Sequence, residues 1–374
     1  MMTTGEMKHA WVEIDLERVR RNVRAVKDSL GPETGPMFVV KADAYGHGMI
    51  PCARAAAEAG VRWFAVAYPE EAFPLRRALP EAEILVLGVA MEDEVEPLAR
   101  ERITPIIANR EHARLLASVA AAKGVQLNAH LKVDTGMSRL GVLWSELDPL
   151  LEELAESDAL RLTGICSHFA AVEPRDLSEA ERQAGRYREA VERVERMTGT
   201  RVFRHLSSSR AAKYCRQWDY DAVRPGIALY GYGARDTEGR FQTEPILQWK
   251  CRVLQVKRLP AGSKVGYYGT WTLPRDTWLA TLSAGYADGY HRALSNRGDV
   301  LIRGRRRRIV GRISMNWILV DAGPERDVDV GDEAVLIGEQ GGAAVWADEL
   351  ARLCRTIPYE ILTGIHPALR RVYR

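Results

Sequence analysis

The chain has 374 residues, 46% hydrophobic and 28% charged, with a formal net charge of +3. That length exceeds one core of ordinary size, so two domains are expected, and so small a net charge supplies no global field to steer nucleic acid or membrane. Five scattered cysteines (Cys52, Cys166, Cys215, Cys251, Cys354), never spaced CxxC, argue against a disulfide framework or a structural zinc site. Residues 1–14 hold no apolar core of signal length, and no run of about 18 apolar residues occurs. The expected compartment is the cytoplasm, with no membrane partner.

In chain order, residues 37–41, 63–68, 84–88, 104–108, 127–133, 162–167, 202–206 and 222–230 read as short β-rich apolar runs. Amphipathic helical stretches lie among them, over 111–122, 144–155 and 177–197. Eight continuous apolar strands alternating with helices predict an α/β fold, a (β/α)8 TIM-type barrel. A doubly wound open sheet is the alternative, because periodicity does not report closure. Past about residue 240 the segments alternate in polarity, over 246–257, 278–284, 299–302, 308–313, 317–321 and 333–337, with one clear helix at 347–352. They predict a mainly antiparallel β domain. The domains are then residues 1–235 and 236–374, the boundary lying in 231–239 and the opening segment able to pack on the second domain.

In an α/β barrel, chemistry sits at the carboxyl ends of the strands. Phe38-Val39-Val40 runs into Lys41, and a lysine closing an apolar strand costs desolvation unless it is paired or used covalently. Such a lysine has a lowered pKa and can attack an aldehyde. The plainer reading is a lysine snorkelling from a strand end. Tyr45-Gly46-His47-Gly48 then supplies a tight turn and a hydroxyl that suit a phosphate. Arg224 follows an apolar strand, where an ion pair at the barrel rim is the plainer reading. Ser209, before Arg210-Ala211-Ala212, reads as a helix N-cap, which is compatible with holding phosphate. Tyr267 and His168, taken singly, read as structural. The basic run 303–308, flanked by apolar strands, reads as a solvated hairpin tip rather than a nucleic-acid contact.

Six segments in order carry a resemblance. They are Val40-Lys41-Ala42-Asp43-Ala44-Tyr45-Gly46-His47-Gly48, Lys132-Val133-Asp134-Thr135-Gly136-Met137-Ser138-Arg139-Leu140-Gly141 and Val223-Arg224-Pro225-Gly226-Ile227-Ala228-Leu229-Tyr230-Gly231. Val265-Gly266-Tyr267-Tyr268-Gly269, Gly285-Tyr286-Ala287-Asp288-Gly289 and Val310-Gly311-Arg312-Ile313-Ser314-Met315 follow. Together they resemble alanine racemases, the barrel-type pyridoxal-phosphate enzymes, over nearly the whole chain.

The resemblance implies that Lys41 carries pyridoxal 5'-phosphate covalently and serves as one catalytic base, with Tyr267 of a second copy as the other. It implies cofactor contacts from Tyr45, Arg139, His168, Ser209, Arg224, Gly226 and Ile227, and substrate contacts from Arg139 and Met315. Arg224 matches the arginine at the pyridine nitrogen, and because a guanidinium keeps its proton, that nitrogen stays unprotonated. Lys132 matches a lysine often carbamylated in the family, an anion that orients Arg139. His168 matches the histidine linking the arginine to the tyrosine. The implied reaction interconverts L- and D-alanine, and the implied assembly is a homodimer with shared sites. No metal and no nucleic acid are implied. The alternatives are a racemase of serine or another small amino acid, then a barrel-type decarboxylase, then a non-catalytic pyridoxal-phosphate carrier. Four features depart from the pattern. Ser208 stands where asparagine is frequent, Asn316 where aspartate is usual, Ile365-His366-Pro367-Ala368 lacks a tyrosine that some members use on the phosphate, and Tyr268 beside Tyr267 lets the tyrosine assignment slip by one.

Overall fold

The computed structural model describes residues 9–233 and 238–374. The expected boundary over 231–239 therefore lies partly outside the described residues, as does the start of the opening segment. By its contacts the chain forms two compact units. One comprises Glu17–Ala44 and Met49–Glu244; the other takes the segment through Leu16, Tyr45–Gly48 and Pro245–Arg374.

The described chain opens with β1 (Ala10–Ile14), part of the second unit, and enters the first through α1 (Leu16–Asp28). There follow β2 (Gly35–Val39), α2 (Lys41–Gly46), α3 (Met49–Glu58), β3 (Trp63–Val66), α4 (Pro69–Ala78), β4 (Glu83–Val86) and α5 (Val95–Arg100). Next come β5 (Thr104–Ile107), α6 (Arg110–Ala122), β6 (Leu127–Asp134), the short β7 (Val142–Leu143), α7 (Leu147–Ala155) and β8 (Leu160–Cys166). The unit ends with α8 (Ser178–Thr198), β9 (Phe203–Ser208), α9 (Ser209–Tyr214) and β10 (Ala222–Arg224).

Strands pair in parallel in the order β5-β4-β3-β2-β10-β9-β8-β6, and β5 also pairs with β6 through Ile106↔His130 and Ile107↔Leu131. Eight strands thus close on themselves, and the open-sheet alternative falls. Closure buries both strand faces, which is why Phe38, Phe64, Ile84, Ile106, Leu131, Ile165, Leu206 and Val223 are all buried. The helices cover the outside with one apolar face. In α8, Ala180, Ala184, Tyr187, Val191 and Val194 repeat at helical spacing and are buried, and Gly199 with φ +66 ends the helix.

Two local features differ from the sequence reading. The eighth strand stops at Arg224, not at Tyr230: Pro225 has no N–H for the ladder, and the chain turns, with Leu229 N–H donating to the Gly226 carbonyl at 2.9 Å. Lys41 does not close the first barrel strand. β2 ends at Val39, and Lys41 opens a helical turn in which Ala42, Asp43, Ala44 and Tyr45 have φ of 52, 51, 54 and 54°. That turn is left-handed, costing L-residues roughly 1–2 kcal/mol each. No propensity pattern forecasts it.

The second unit adds β11 (Leu247–Leu259), β12 (Lys264–Val265), β13 (Trp271–Thr272), β14 (Thr277–Leu282), β15 (Asp299–Ile302) and β16 (Arg305–Arg308). It continues with β17 (Ile318–Gly323), β18 (Glu333–Gln340), β19 (Ala343–Val345), α10 (Ala347–Cys354), α11 (Pro358–Thr363) and β20 (Arg370–Tyr373). Its main sheet runs β16-β15-β18-β11-β1-β20, antiparallel except that β1 and β20 pair in parallel, Trp11↔Arg370 through Ile14↔Tyr373. α11 was not expected; six residues are too few to show a helical period, though Pro358 at its start is a helix-opening signal. The basic run is itself strand β16, with the turn at Arg303-Gly304. Every arginine in it has an acidic partner: Arg303 with Asp329 and Asp332, Arg305 and Arg307 with Asp327, Arg306 with Asp299 and Glu349, Arg308 with Asp299. Among the described residues, no helix is long and apolar enough to cross a membrane.

Two glycines of the barrel unit give opposite expectations. A Cβ on Gly164 in β8 would lie 2.5 Å from the buried His130 ring, so Gly164→Ala should destabilise by about 1–3 kcal/mol. Gly185 in α8 has open space around it, so Gly185→Ala should stabilise by up to about 1 kcal/mol. Urea unfolding of the two variants beside the parent chain checks both signs.

Candidate active site

A cation is buried at the carboxyl end of β10: Arg224, 6% exposed. A guanidinium only donates, so its surroundings must accept. Its Nη1 donates to the His205 carbonyl at 2.7 Å and to His205 Nδ1 at 2.9 Å. Its Nη2 donates to the carbonyls of Ser167 at 2.5 Å and Leu206 at 3.0 Å, with His168 Nδ1 at 3.3 Å. His205 Nδ1 must then be a bare acceptor and its proton sits on Nε2, which donates to His130 Nδ1 at 2.9 Å. The tautomers of both buried histidines follow from one guanidinium. Burial, reinforced by the charge of Arg224, holds all three imidazoles below their usual range, His130 down to about 3.

Arg224 Nε has no partner among the described residues, so one N–H of this buried cation is left for something else. Nearby, Ser209 Oγ accepts from Gly226 N at 3.0 Å and from Ala228 N at 3.3 Å, which ties the turn containing Ile227 to the start of α9. Its own hydroxyl proton has no acceptor among the described residues. The helix N-cap is Ser208, one residue before the expected position, which releases Ser209 from capping.

Lys41 lies just past the end of β2 and Arg139 in the loop after β6. Burial lowers the Lys41 ammonium, the Arg139 charge lowers it further, and Glu71 opposes both. The Arg139 loop is shaped by Asp134, whose Oδ1 accepts from Gly136 N at 2.9 Å and Ser138 N at 3.1 Å. Arg139 itself is exposed and makes no hydrogen bond or ion pair to a described residue. Lys132, on β6 opposite Cys166, is pulled down to about 8, chiefly by burial. Four cations thus share one barrel end, with Glu71 and Asp134 the acidic side chains whose fields reach Lys41 and Lys132. Such a donor set suits an anionic ligand that also carries a neutral ring nitrogen.

The structure therefore brings Lys41, Lys132, Arg139, His168, Ser209, Arg224, Gly226 and Ile227 to the carboxyl ends of β2, β6, β8, β9 and β10 within one unit. Tyr45, Tyr267 and Met315 belong to the other unit. Tyr45 is buried against Tyr359, ring centroids 5.7 Å apart, and burial pushes its phenol up. Tyr267 sits on a turn between Gly266 (φ +71) and Tyr268 (φ +60) and is 65% exposed. That turn packs on residues 311–312: a Cβ on Gly266 would lie 3.1 Å from Arg312 N, and one on Gly311 would lie 2.9 Å from the Val265 carbonyl. Met315, three residues on, is exposed as well.

A family model for the alanine racemase N-terminal domain matches residues 14–234, and one for the C-terminal domain matches residues 246–373. The chain belongs to the alanine racemase family. It is 39% identical to the alanine racemase of Halothermothrix orenii, over 97% of this chain and 96% of that one. Among solved structures it is similar to alanine racemase from D-cycloserine-producing Streptomyces lavendulae, with a TM-score of 0.92 and 34% identity over 99% of this chain and 98% of that one. It is similar also to alanine racemase from Bartonella henselae with covalently bound pyridoxal phosphate, with a TM-score of 0.87 and 31% identity over 98% and 100% of the two chains.

Three residues at this barrel end are not singled out by the sequence: His130, His205 and Glu71. His130 did leave a signal, standing between Ala129 and Leu131 in a strand where all three are buried, whereas His205 lies in a strand mixed with arginine and serine. Glu71 left none, being one of two successive glutamates in the first turn of a helix.

The buried histidines give the fold an acid limit. The His130 pKa lies near 3 in the fold against 6.5 for a free imidazole, so this group contributes stability above 6.5 that is lost as pH falls toward 3. Within that window its contribution to the slope is about 1.4 kcal/mol per pH unit. His130→Gln should flatten the acid limb of urea-unfolding stability by that amount. An unchanged slope would mean that His130 is protonated in the fold.

Proposed function

We propose that this chain is a pyridoxal-phosphate-dependent racemase that interconverts L- and D-alanine in the cytoplasm as a homodimer with shared sites. The observation that carries the reading is the barrel end, where the depressed ammonium of Lys41 shares one unit with the unclaimed Nε–H of Arg224 and the hydroxyl of Ser209. Pyridoxal phosphate, when bound, supplies an electron sink for the pair left behind as an amino acid loses its α-proton.

The rest of the work falls to side chains. Lys41 holds the cofactor and, once free, its amine takes or returns the α-proton on one face of the carbon. Ser209, with the turn at Gly226 and Ile227, holds the phosphate. Arg224 donates to the ring nitrogen and keeps its own proton, so that nitrogen stays unprotonated and the sink is weakened. A weaker sink favours return of the proton to the substrate carbon. Arg139, which has no anion among the described residues to satisfy it, orients the substrate carboxylate; His168 links Arg224 to the second base.

Racemisation needs a proton donor on the opposite face, and Tyr267 takes that role from the second copy. Its 65% exposure supports this, as does its setting: Tyr268, Met315 and Trp317 of the same unit are also exposed, at 86, 55 and 52%. Large apolar side chains in the open are material for an interface between copies. Lys132, with its pKa near 8, has enough neutral amine at neutral to mildly basic pH to combine with carbon dioxide. The resulting anion would give Arg139 a counter-charge.

Borohydride reduction of the cofactor-loaded protein, followed by peptide mapping, should place the label on Lys41; a label on another lysine sinks the assignment. Tyr267→Phe should keep the bound cofactor's absorption and lose about 10²–10⁴ in turnover. Mixing inactive Lys41→Ala and Tyr267→Phe proteins under exchange conditions leaves one intact site per mixed dimer. D-alanine formation should reappear, and its absence from verified heterodimers would mean that each chain builds its own site.

A further inference from the structure

The geometry points to Glu71 as a positioning residue for Lys41: its carboxylate ties the left-handed turn that Lys41 opens to the end of β3, and so holds the cofactor-bearing amine in place. The inference rests on the reading that Lys41 carries pyridoxal phosphate. Glu71 is the third residue of α4, and its Oε2 accepts from Ala67 N at 2.7 Å and Tyr68 N at 3.4 Å. That half of the carboxylate caps the helix. The other half does something a cap does not require. Oε1 accepts from the backbone N–H of Ala42, the residue after Lys41, at 2.5 Å.

Ala42 begins the run of four non-glycine residues with φ of 51–54°. A strained run persists only where its surroundings over-determine it. Other bonds help: Ala44 N donates to the Val40 carbonyl at 2.8 Å, Asp43 Oδ1 accepts from Met49 N at 2.7 Å, and the Gly46 carbonyl accepts from Arg371 Nε at 3.2 Å. Among these bonds, that of Glu71 is the one at the peptide following Lys41, and it joins that peptide to the end of β3. Its charge also opposes the effects of burial and Arg139 on the Lys41 ammonium.

A carboxylate has two acceptor oxygens and an amide has one, so Glu71→Gln can keep the helix cap or the Ala42 bond but not both. The test uses cofactor-loaded wild type, Glu71→Gln, Glu71→Ala and, as a control on the exposed neighbour, Glu70→Ala. Three quantities are measured: the rate of cofactor release by hydroxylamine, kcat and KM for alanine, and the thermal midpoint. Both Glu71 variants should release cofactor about tenfold faster, the factor carried by one hydrogen bond to a charged group, and lose kcat at nearly constant KM. Glu70→Ala should match wild type.

A lower thermal midpoint with wild-type release and kcat would leave Glu71 a helix cap alone and overturn the inference. If Glu71→Ala does not fold, Glu71→Gln decides by the same release rate. A wild-type chain that takes up no pyridoxal phosphate overturns the functional reading itself, and the two failures are thereby distinct.

Discussion

A guanidinium keeps its proton at any pH the fold survives, so burying Arg224 obliges everything around it to accept. The carboxyl end of this barrel meets that demand, because strand carbonyls and the loops that follow them converge there. Ser167, His205 and Leu206 supply the carbonyls, and His205 and His168 turn ring nitrogens toward the charge. The proton of His205 is then confined to Nε2, which donates to His130, and both rings stay neutral. His130 in turn occupies the space that Gly164 leaves open on the paired strand. One buried cation thus constrains β6, β8, β9 and β10 and still leaves its Nε–H to offer.

Cations are used in two ways in this chain, and the number of acidic partners separates them. Arg303 to Arg308, without Gly304, stand on a hairpin where each arginine meets aspartate or glutamate. Their charge is spent within the fold, and with it the case for a nucleic-acid contact. Arg139 faces no such partner, and Arg224 is held by neutral acceptors throughout. Positive charge left without a counter-ion is where an anionic ligand gains most.

The sequence made the barrel legible because strands buried on both faces leave continuous apolar runs, as Phe38 to Val40 and Ile84 to Val86 do. Lys41, Ser209 and Arg224 were legible as polar groups placed near where those runs end, whereas Arg139, five residues past β6, was named only through the resemblance. Closure was not, since the β5–β6 pairing is a contact between strand edges and writes nothing into the period of either strand. The left-handed turn was hidden because Ala42 and Ala44 carry no left-handed preference; the surroundings impose it. The packing of Tyr45 on Tyr359 was hidden for another reason: Tyr45–Gly48 clusters with a unit most of whose residues, Pro245–Arg374, lie far along the chain. Short elements such as α11 are set by tertiary packing, which overrides weak local signals.

The parallel pairing of β1 with β20 bears on how the molecule is made. β1 lies between β11 and β20 in one sheet, so the first described strand to leave the ribosome finds its neighbours among the last. All eight barrel strands are synthesised in between and can close while β1 still waits. The second unit therefore completes its sheet only when Arg370 to Tyr373 emerge. Until β11 emerges both edges of β1 are unpaired, and one stays so until β20 follows; Glu13, buried once β11 and β20 are in place, meanwhile remains in water as a charge that discourages mispairing.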